Sequence, residues 1–352
     1  MIKNPPTREQ FKGFLNTILQ RLDSEKLYRL LDDILEYEDS HEGIYRELCS
    51  RLPEVMPSAM GDIRNKLSSL AAIKKDLGDQ ARALLPANFE IDGDILEFGS
   101  PGRYAKGLAE HYRHSGQIIA VDDAPTASFM HYIDAGTTHP YDKYMHLDYS
   151  NMDLSSIGDK SVKVMTCYVG LHHFRDEALE RFLTDVKRIL KDDGHFLLVD
   201  HDIDNEQTLA MANMAHMVFN AVNGVPLQDE LTEIRNFQPM TYWQQKLLEK
   251  GIPCEIPNQA MIRQGDPTRN QMIMCKNTTV QLENRSVFAP IIADEEEEKQ
   301  SDEAGQRVFA SRPVVDSSVA TSDFTLFANS NPTQNNDNQA APEGDSRPVS
   351  GL

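Results

Sequence analysis

Between roughly residues 93 and 276 the chain alternates short apolar runs with amphipathic helical repeats, and few folds accommodate that alternation. The runs "DILEFG", "QIIAVD", "YMHLD", "VKVMTCYV" and "HFLLVD" read as strands. Between them lie "YAKGLAEHYRHS" and "EALERFLTDVKRILKDDG". The second puts Ala178, Leu179, Phe182, Leu183, Val186, Ile189 and Leu190 on one face and predicts a stop at Gly194. The segment "CEIPNQAMIRQGDPTRNQMIMCKN" predicts two strands joined by a turn at Gly265, Asp266 and Pro267, a hairpin at one edge of the sheet. The expectation is an α/β fold with a doubly wound, mostly parallel sheet and an antiparallel C-terminal hairpin.

Outside this stretch the texture differs. Residues 1–85 predict an N-terminal helical region. Phe11, Phe14, Leu15, Ile18, Leu19 and Leu22 recur at helical steps, as do Leu27, Leu30, Leu31, Ile34 and Leu35 after the capping candidate Ser24. A third series, Ile44 to Leu52, stops at Pro53, and a fourth helix is expected to close at Pro86. Residues 86–282 form the α/β domain, and residues 283–352 an acidic C-terminal tail. That tail contains "ADEEEEKQSDE" and is rich in Ser, Asn, Gln and Pro, so it is expected to be disordered.

The net charge of -20 bears on partners. The tail holds 13 acidic and 5 basic residues, which leaves the rest of the chain strongly acidic. No basic stripe is present to meet a phosphate backbone, so direct nucleic-acid binding is not expected. No window approaches a membrane span. The four cysteines, Cys49, Cys167, Cys254 and Cys275, lack C-x-x-C spacing and are expected to be free thiols in a reducing, cytoplasmic setting.

In an open α/β sheet the ligand lies beyond the carboxyl ends of the strands, where strand order reverses. The informative residues are therefore Glu97, Gly99, Ser100, Pro101 and Gly102 after the first strand, and Asp122 and Asp123 after the second. Asp148 and Tyr149 follow the third, Val169 to Phe174 the fourth, and Asp200, His201 and Asp202 the fifth. A carboxylate after the second strand can take both hydroxyls of a ribose, and glycines after the first let a ligand approach the backbone. No metal site is expected. Asp200, His201 and Asp202 have metal-capable side chains, but three adjacent residues do not converge on one ion.

"ILEFGSPGRYAKGLA", "IIAVDD", "MHLDYSNMDL", "VMTCYVGLHHF" and "LERFLTDVKRILKDDGHFLLVDHD" occur in an order and spacing that resembles the class I S-adenosylmethionine-dependent methyltransferases. The resemblance spans roughly residues 90 to 277 and implies a Rossmann-like sheet with S-adenosylmethionine as cofactor. It implies that Glu97 and Gly99, with Ser100 and Gly102, belong to the motif after the first strand, with Glu97 near the methionine amino group. Asp122, with Asp123 beside it, would hold the ribose, and Asp148 with Tyr149 would meet the adenine. Cys167 to Leu171, including Val169, would line the sulfur side. The family motif reads acid-x-Gly-x-Gly-x-Gly, whereas here Pro101 takes the second glycine position and Gly102 falls one residue before the third. Either the turn is one residue tighter or the cofactor is held less firmly. Lys163 stands where members often carry aspartate, a peripheral change.

Methyl transfer needs an acceptor aligned with the methyl group and water excluded; a base is needed only if the acceptor must lose a proton. His201, His173 and His172 are the candidates, with His201 favoured because it follows the fifth strand. His172 and His173 could equally form a capping pair for the helix near Arg175. Met211, Met214 and Met217 are read as gap fillers and Trp243 as a packing anchor. The acceptor is unidentified, and helices covering the site would suit a small molecule better than a polymer. The N-terminal helices could also contact a protein. Two other readings compete: a catalytically inactive methyltransferase-like binding or regulatory module, motivated by Pro101, and a dehydrogenase, which the missing G-x-G-x-x-G disfavours. The glutamate-rich tail also resembles signals on bacterial effectors secreted into host cells.

Overall fold

In the computed structural model the described residues are 8–9, 11, 24–55, 75–100, 102, 104–122, 141–255, 261–262 and 266–278. Most of the first expected helix, Pro101, Asp123, Gly265 and the whole of 283–352 lie outside them.

Seven strands form one sheet: β1 (Asp94–Phe98), β2 (Ile118–Asp122), β3 (Lys143–His146), β4 (Val162–Tyr168), β5 (Leu190–His201), β6 (Met261–Ile262) and β7 (Asn270–Lys276). Their spatial order is β3-β2-β1-β4-β5-β7-β6. The first five are parallel, while β7 runs antiparallel to β5 and pairs with β6 in the expected hairpin. Strand order reverses between β1 and β4, so a crevice opens at their carboxyl ends. A separate two-stranded ribbon pairs Glu90–Ile91 with Arg113–His114.

Every residue of β4 is buried, which is why its sequence lacks alternation. Successive residues of the strands divide between two cores. Ile95, Val164, Leu197 and Val199 face α1 (Ser24–Ile34), α2 (His41–Arg51), α3 (Ala105–His111) and α5 (Glu206–Asn223). Leu96, Met165, Phe196 and Leu198 face α4 (Asp176–Ile189) and α7 (Met240–Glu249), where Trp243 is fully buried. The N-terminal helices thus share a core with the sheet. Tyr45 of α2 donates from its hydroxyl to Val225 O at 2.6 Å, and His41 Nε2 stands 2.7 Å from Glu230 Oε1 on α6 (Leu227–Thr232). Residues 75–84 are helical, within the fourth helix expected.

Two sequence expectations are corrected. Helix α4 ends at Ile189 and not at Gly194, because Leu190 already turns extended to pair with Val162. The "KDDG" residues are accommodated where the register of β4 and β5 shifts. Cys254 and Cys275 are not free thiols but a disulfide, since an antiparallel bridge sets them opposite each other 21 residues apart in sequence. Cys49 and Cys167 are free. The disulfide removes the thiol argument for a reducing compartment. No helix among the described residues is long and apolar enough to cross a membrane.

Candidate functional site

The carboxyl ends of β1, β2, β4 and β5 and the segment after β3 carry the expected residues. Glu97 is buried, and its Oε2 accepts from the backbone N–H of Tyr104 at 2.8 Å and from that of Ala105, so it holds the start of α3. Gly99 (φ +74°) and Gly102 (φ +79°) lie in the left-handed region that favours glycine. A Cβ built on Gly99 would meet only the Tyr149 hydroxyl, at 3.9 Å, so the backbone there borders open space. Ser100 is buried, and its Oγ has no hydrogen-bond partner among the described residues.

Asp122 is fully buried at the end of β2, where its carbonyl accepts from Leu147 N at 3.0 Å and from the Tyr144 hydroxyl. Asp148 closes a turn, its Oδ1 accepting from Ser150 N at 2.9 Å and Ser150 Oγ at 2.7 Å. Burial pushes its pKa up, but the bonds from Ser150 and Asn151 outweigh that and hold the carboxyl below the ordinary value. Tyr149 packs edge-on against Phe98 and Phe174 and tilts over His173, with ring centroids 6.0, 5.0 and 5.2 Å away. Its hydroxyl also lies 3.3 Å from where a Cβ on Gly170 would stand, so it sits between the turns after β1 and β4.

Cys167 is fully buried, and burial drives its thiol pKa well up. Val169 has φ +66°, a strained conformation for a β-branched residue, and its N–H bonds to Val199 O at 2.7 Å. That backbone turn feeds the 3-10 turn Leu171–His173, which presents both histidines inward.

Asp200, at the end of β5, anchors this turn. One oxygen accepts from Leu171 N at 3.0 Å; the other stands 2.7 Å from His172 Nδ1 and accepts from His201 N at 2.8 Å. Burial pulls the Asp200 pKa up, but the His172 ring and the accompanying hydrogen bonds hold it below its ordinary value. Its neighbours diverge from it. His201 Nδ1 donates to Thr268 O at 3.2 Å, and Asp202 accepts from Met240 N at 2.9 Å and pairs with Arg269 at 2.6 Å. Lys163 lies at the opposite, amino end of β4, paired with Asp193 at 2.6 Å and Asp92 at 3.2 Å.

Sequence reasoning missed the far wall of the site. His216 of α5 is buried against His201, with their Nε2 atoms 3.3 Å apart. Phe237 lies across His172, His201 and His216, with ring centroids 4.8, 5.3 and 4.9 Å away. Behind them Arg235 bridges Glu230 and Glu233 at 2.7 and 2.6 Å. Burial pushes His173 and His216 well below the usual histidine pKa and His201 down to about 4, so all three are neutral at pH 7. The available signal was a histidine inside the apolar run "MAHMVF". A cavity of about 370 Å³ lined by Asn205, Gln207, Thr208, Met211, Asp266, Pro267 and Arg269 touches none of the expected site residues.

Residues 96–198 match the family model described as a methyltransferase domain. Among solved structures the chain is similar to the 1,6-didemethyltoxoflavin-N1-methyltransferase of Burkholderia thailandensis, with 14% identity over 61% of this chain and 87% of that one and a TM-score of 0.37. A carbon methyltransferase, CurJ, shows 15% identity over 77% of this chain and 71% of its own, with a TM-score of 0.43. An S-adenosylmethionine-dependent methyltransferase of Mesorhizobium loti shows 13% identity over 55% and 94%, with a TM-score of 0.39. No curated protein sequence matches the chain.

Proposed function

From the premise that residues 96–198 match a methyltransferase domain, we propose that this chain is a class I S-adenosylmethionine-dependent enzyme that transfers a methyl group to a small-molecule acceptor. The observation that supports it is one crevice edge carrying the glycine turn after β1, the buried carboxylate of Asp122, and the Tyr149 and Val169 backbone corner. The open space at Gly99 and the buried Oγ of Ser100 fit a polar ligand lying against that turn.

In this reading Glu97, Gly99, Ser100 and Gly102 border the methionine half of the cofactor. Asp122 and Asp123 take the ribose, Asp148 and Tyr149 the adenine, and Cys167 and Val169 the sulfur side. When bound, S-adenosylmethionine supplies an already activated methyl group, so the chain need only align the acceptor and exclude water. The wall of buried His172, His173 and His216, with the partly buried Phe237 across them, does both, and its seclusion suits a small molecule. If the acceptor sheds a proton, His172 is better placed than His201 to take it. Asp200 accepts a hydrogen bond from His172 Nδ1–H and so orients that imidazole. Residues 1–85 would cover this unit, residues 86–282 would constitute it, and the acidic residues 283–352 would lie outside its chemistry.

A thermal shift with S-adenosylmethionine on wild type and Asp122→Ala tests the proposal. A ligand at about a hundred times its Kd adds about 2.7 kcal/mol of stability, and Asp122→Ala should abolish the shift. Calorimetry showing no uptake at millimolar cofactor would sink the reading. Uptake without labelled methyl incorporation into any acceptor from a lysate would favour the inactive module.

A further inference from the structure

The hydrogen bonds of the buried histidines fix where their lone pairs lie. The Asp200 carboxylate can only accept, so His172 Nδ1 donates to it, and in neutral His172 the lone pair is on Nε2. The carbonyl of Ile234 can only accept from His173 Nδ1, at 3.0 Å, which puts the His173 lone pair on Nε2 as well. His201 donates from Nδ1 to Thr268 O, so its Nε2 accepts, and the donor 3.3 Å away must be His216 Nε2–H. That leaves the lone pair of His216 on Nδ1. One ring nitrogen from each of His172, His173 and His216 lies within 4.8 Å of the other two, and all three residues are buried.

We propose that His172, His173 and His216 form a binding site for a divalent transition ion, with Zn²⁺ as the species that three imidazoles suit. The surroundings are those of a ligand set. Asp200 behind His172 and the Ile234 carbonyl behind His173 are the second-layer acceptors that orient metal-binding imidazoles and raise their basicity. Charge balance favours a cation: Asp200 and Glu230 are buried, Glu233 is nearly so, and Arg235 is the guanidinium paired with the two glutamates among the described residues. Glu233 Oε1 lies 3.7 Å from His173 Nδ1 and 3.9 Å from His216 Nδ1. Three ligands about 2.1 Å from a tetrahedral ion stand about 3.4 Å apart, so closure needs only ring adjustments of about an ångström.

The site stands on these donors and does not depend on methyl transfer. If both hold, the ion's open fourth position would bind an acceptor oxygen or nitrogen and lower its pKa. Ion and imidazole base are then alternative uses of the same His172 lone pair, and metal content tells them apart.

The experiment uses the full chain without a histidine tag, stripped with a chelator, loaded with Zn²⁺ and measured by elemental mass spectrometry after gel filtration. One ion per chain is expected in wild type and in His195→Gln. His173→Gln and His216→Gln should each lose it, and Asp200→Asn should weaken binding by about 10–100-fold. Should a variant fail to fold by circular dichroism, Co²⁺ added to wild type decides, because a four-coordinate imidazole site gives intense visible absorption. No retained Zn²⁺ in wild type, retention unchanged in both folded glutamine variants, or a weak six-coordinate Co²⁺ spectrum would each overturn the proposal. An S-adenosylmethionine thermal shift on the stripped protein separates failure here from failure of the methyltransferase reading.

Discussion

His172 Nδ1 stands 2.7 Å from Asp200 Oδ1, and neither side chain reaches solvent. Through that contact and the Leu171 and His201 amides, one carboxylate joins the turn after β4 to the end of β5. Asp200→Ala strands three donors in the interior at once. Losing one partner of a buried charged cluster costs about 3–5 kcal/mol, so urea unfolding should show a loss of that size. A loss below about 1 kcal/mol would mean the three donors find other partners.

At the turn after β1 the backbone itself is the constraint. Gly99 at φ +74° has room for a methyl group but not the conformation for one. Gly99→Ala should therefore cost about 1–2 kcal/mol of stability through left-handed strain and weaken S-adenosylmethionine binding by calorimetry. Unchanged binding in a folded Gly99→Ala protein would place the ligand elsewhere.

His195 supplies a pH dependence away from the site. Burial drives its pKa down to about 4 from an ordinary 6.5, and Phe89 packs edge-on against its ring at 5.0 Å. The unfolded chain therefore takes up this proton at higher pH than the folded one. The stability that neutral His195 permits is fully present above 6.5 and is lost as the pH falls toward 4. Each unit of depression is worth about 1.4 kcal/mol. Melting temperatures measured across this window should fall less steeply in His195→Gln than in wild type; parallel curves would contradict the assignment.

The Cys254–Cys275 disulfide makes a prediction countable in thiols. Of the four cysteines, only Cys49 and Cys167 should react with a thiol reagent in denatured, unreduced protein. Reduction, or Cys254→Ser with Cys275→Ser, should lower stability by about 3 kcal/mol for a loop of this length. Four reactive thiols in unreduced protein would refute the bridge.

The sequence by itself determined the strands, the α4 face, the hairpin and the carboxyl-end positions of Glu97, Asp122, Asp148 and Tyr149, because periodicity and turn chemistry act between near neighbours. It did not show that α4 would stop at Ile189, since pairing of Leu190 with Val162 overrides the helical pattern beyond that point. Only the tertiary structure brought His216 from α5 to the turn bearing His172 and His173, and Cys254 opposite Cys275. Those meetings depend on how elements distant in the chain cross the sheet. The same packing removed water from the histidines, and burial rather than residue type is what keeps His173, His201 and His216 neutral.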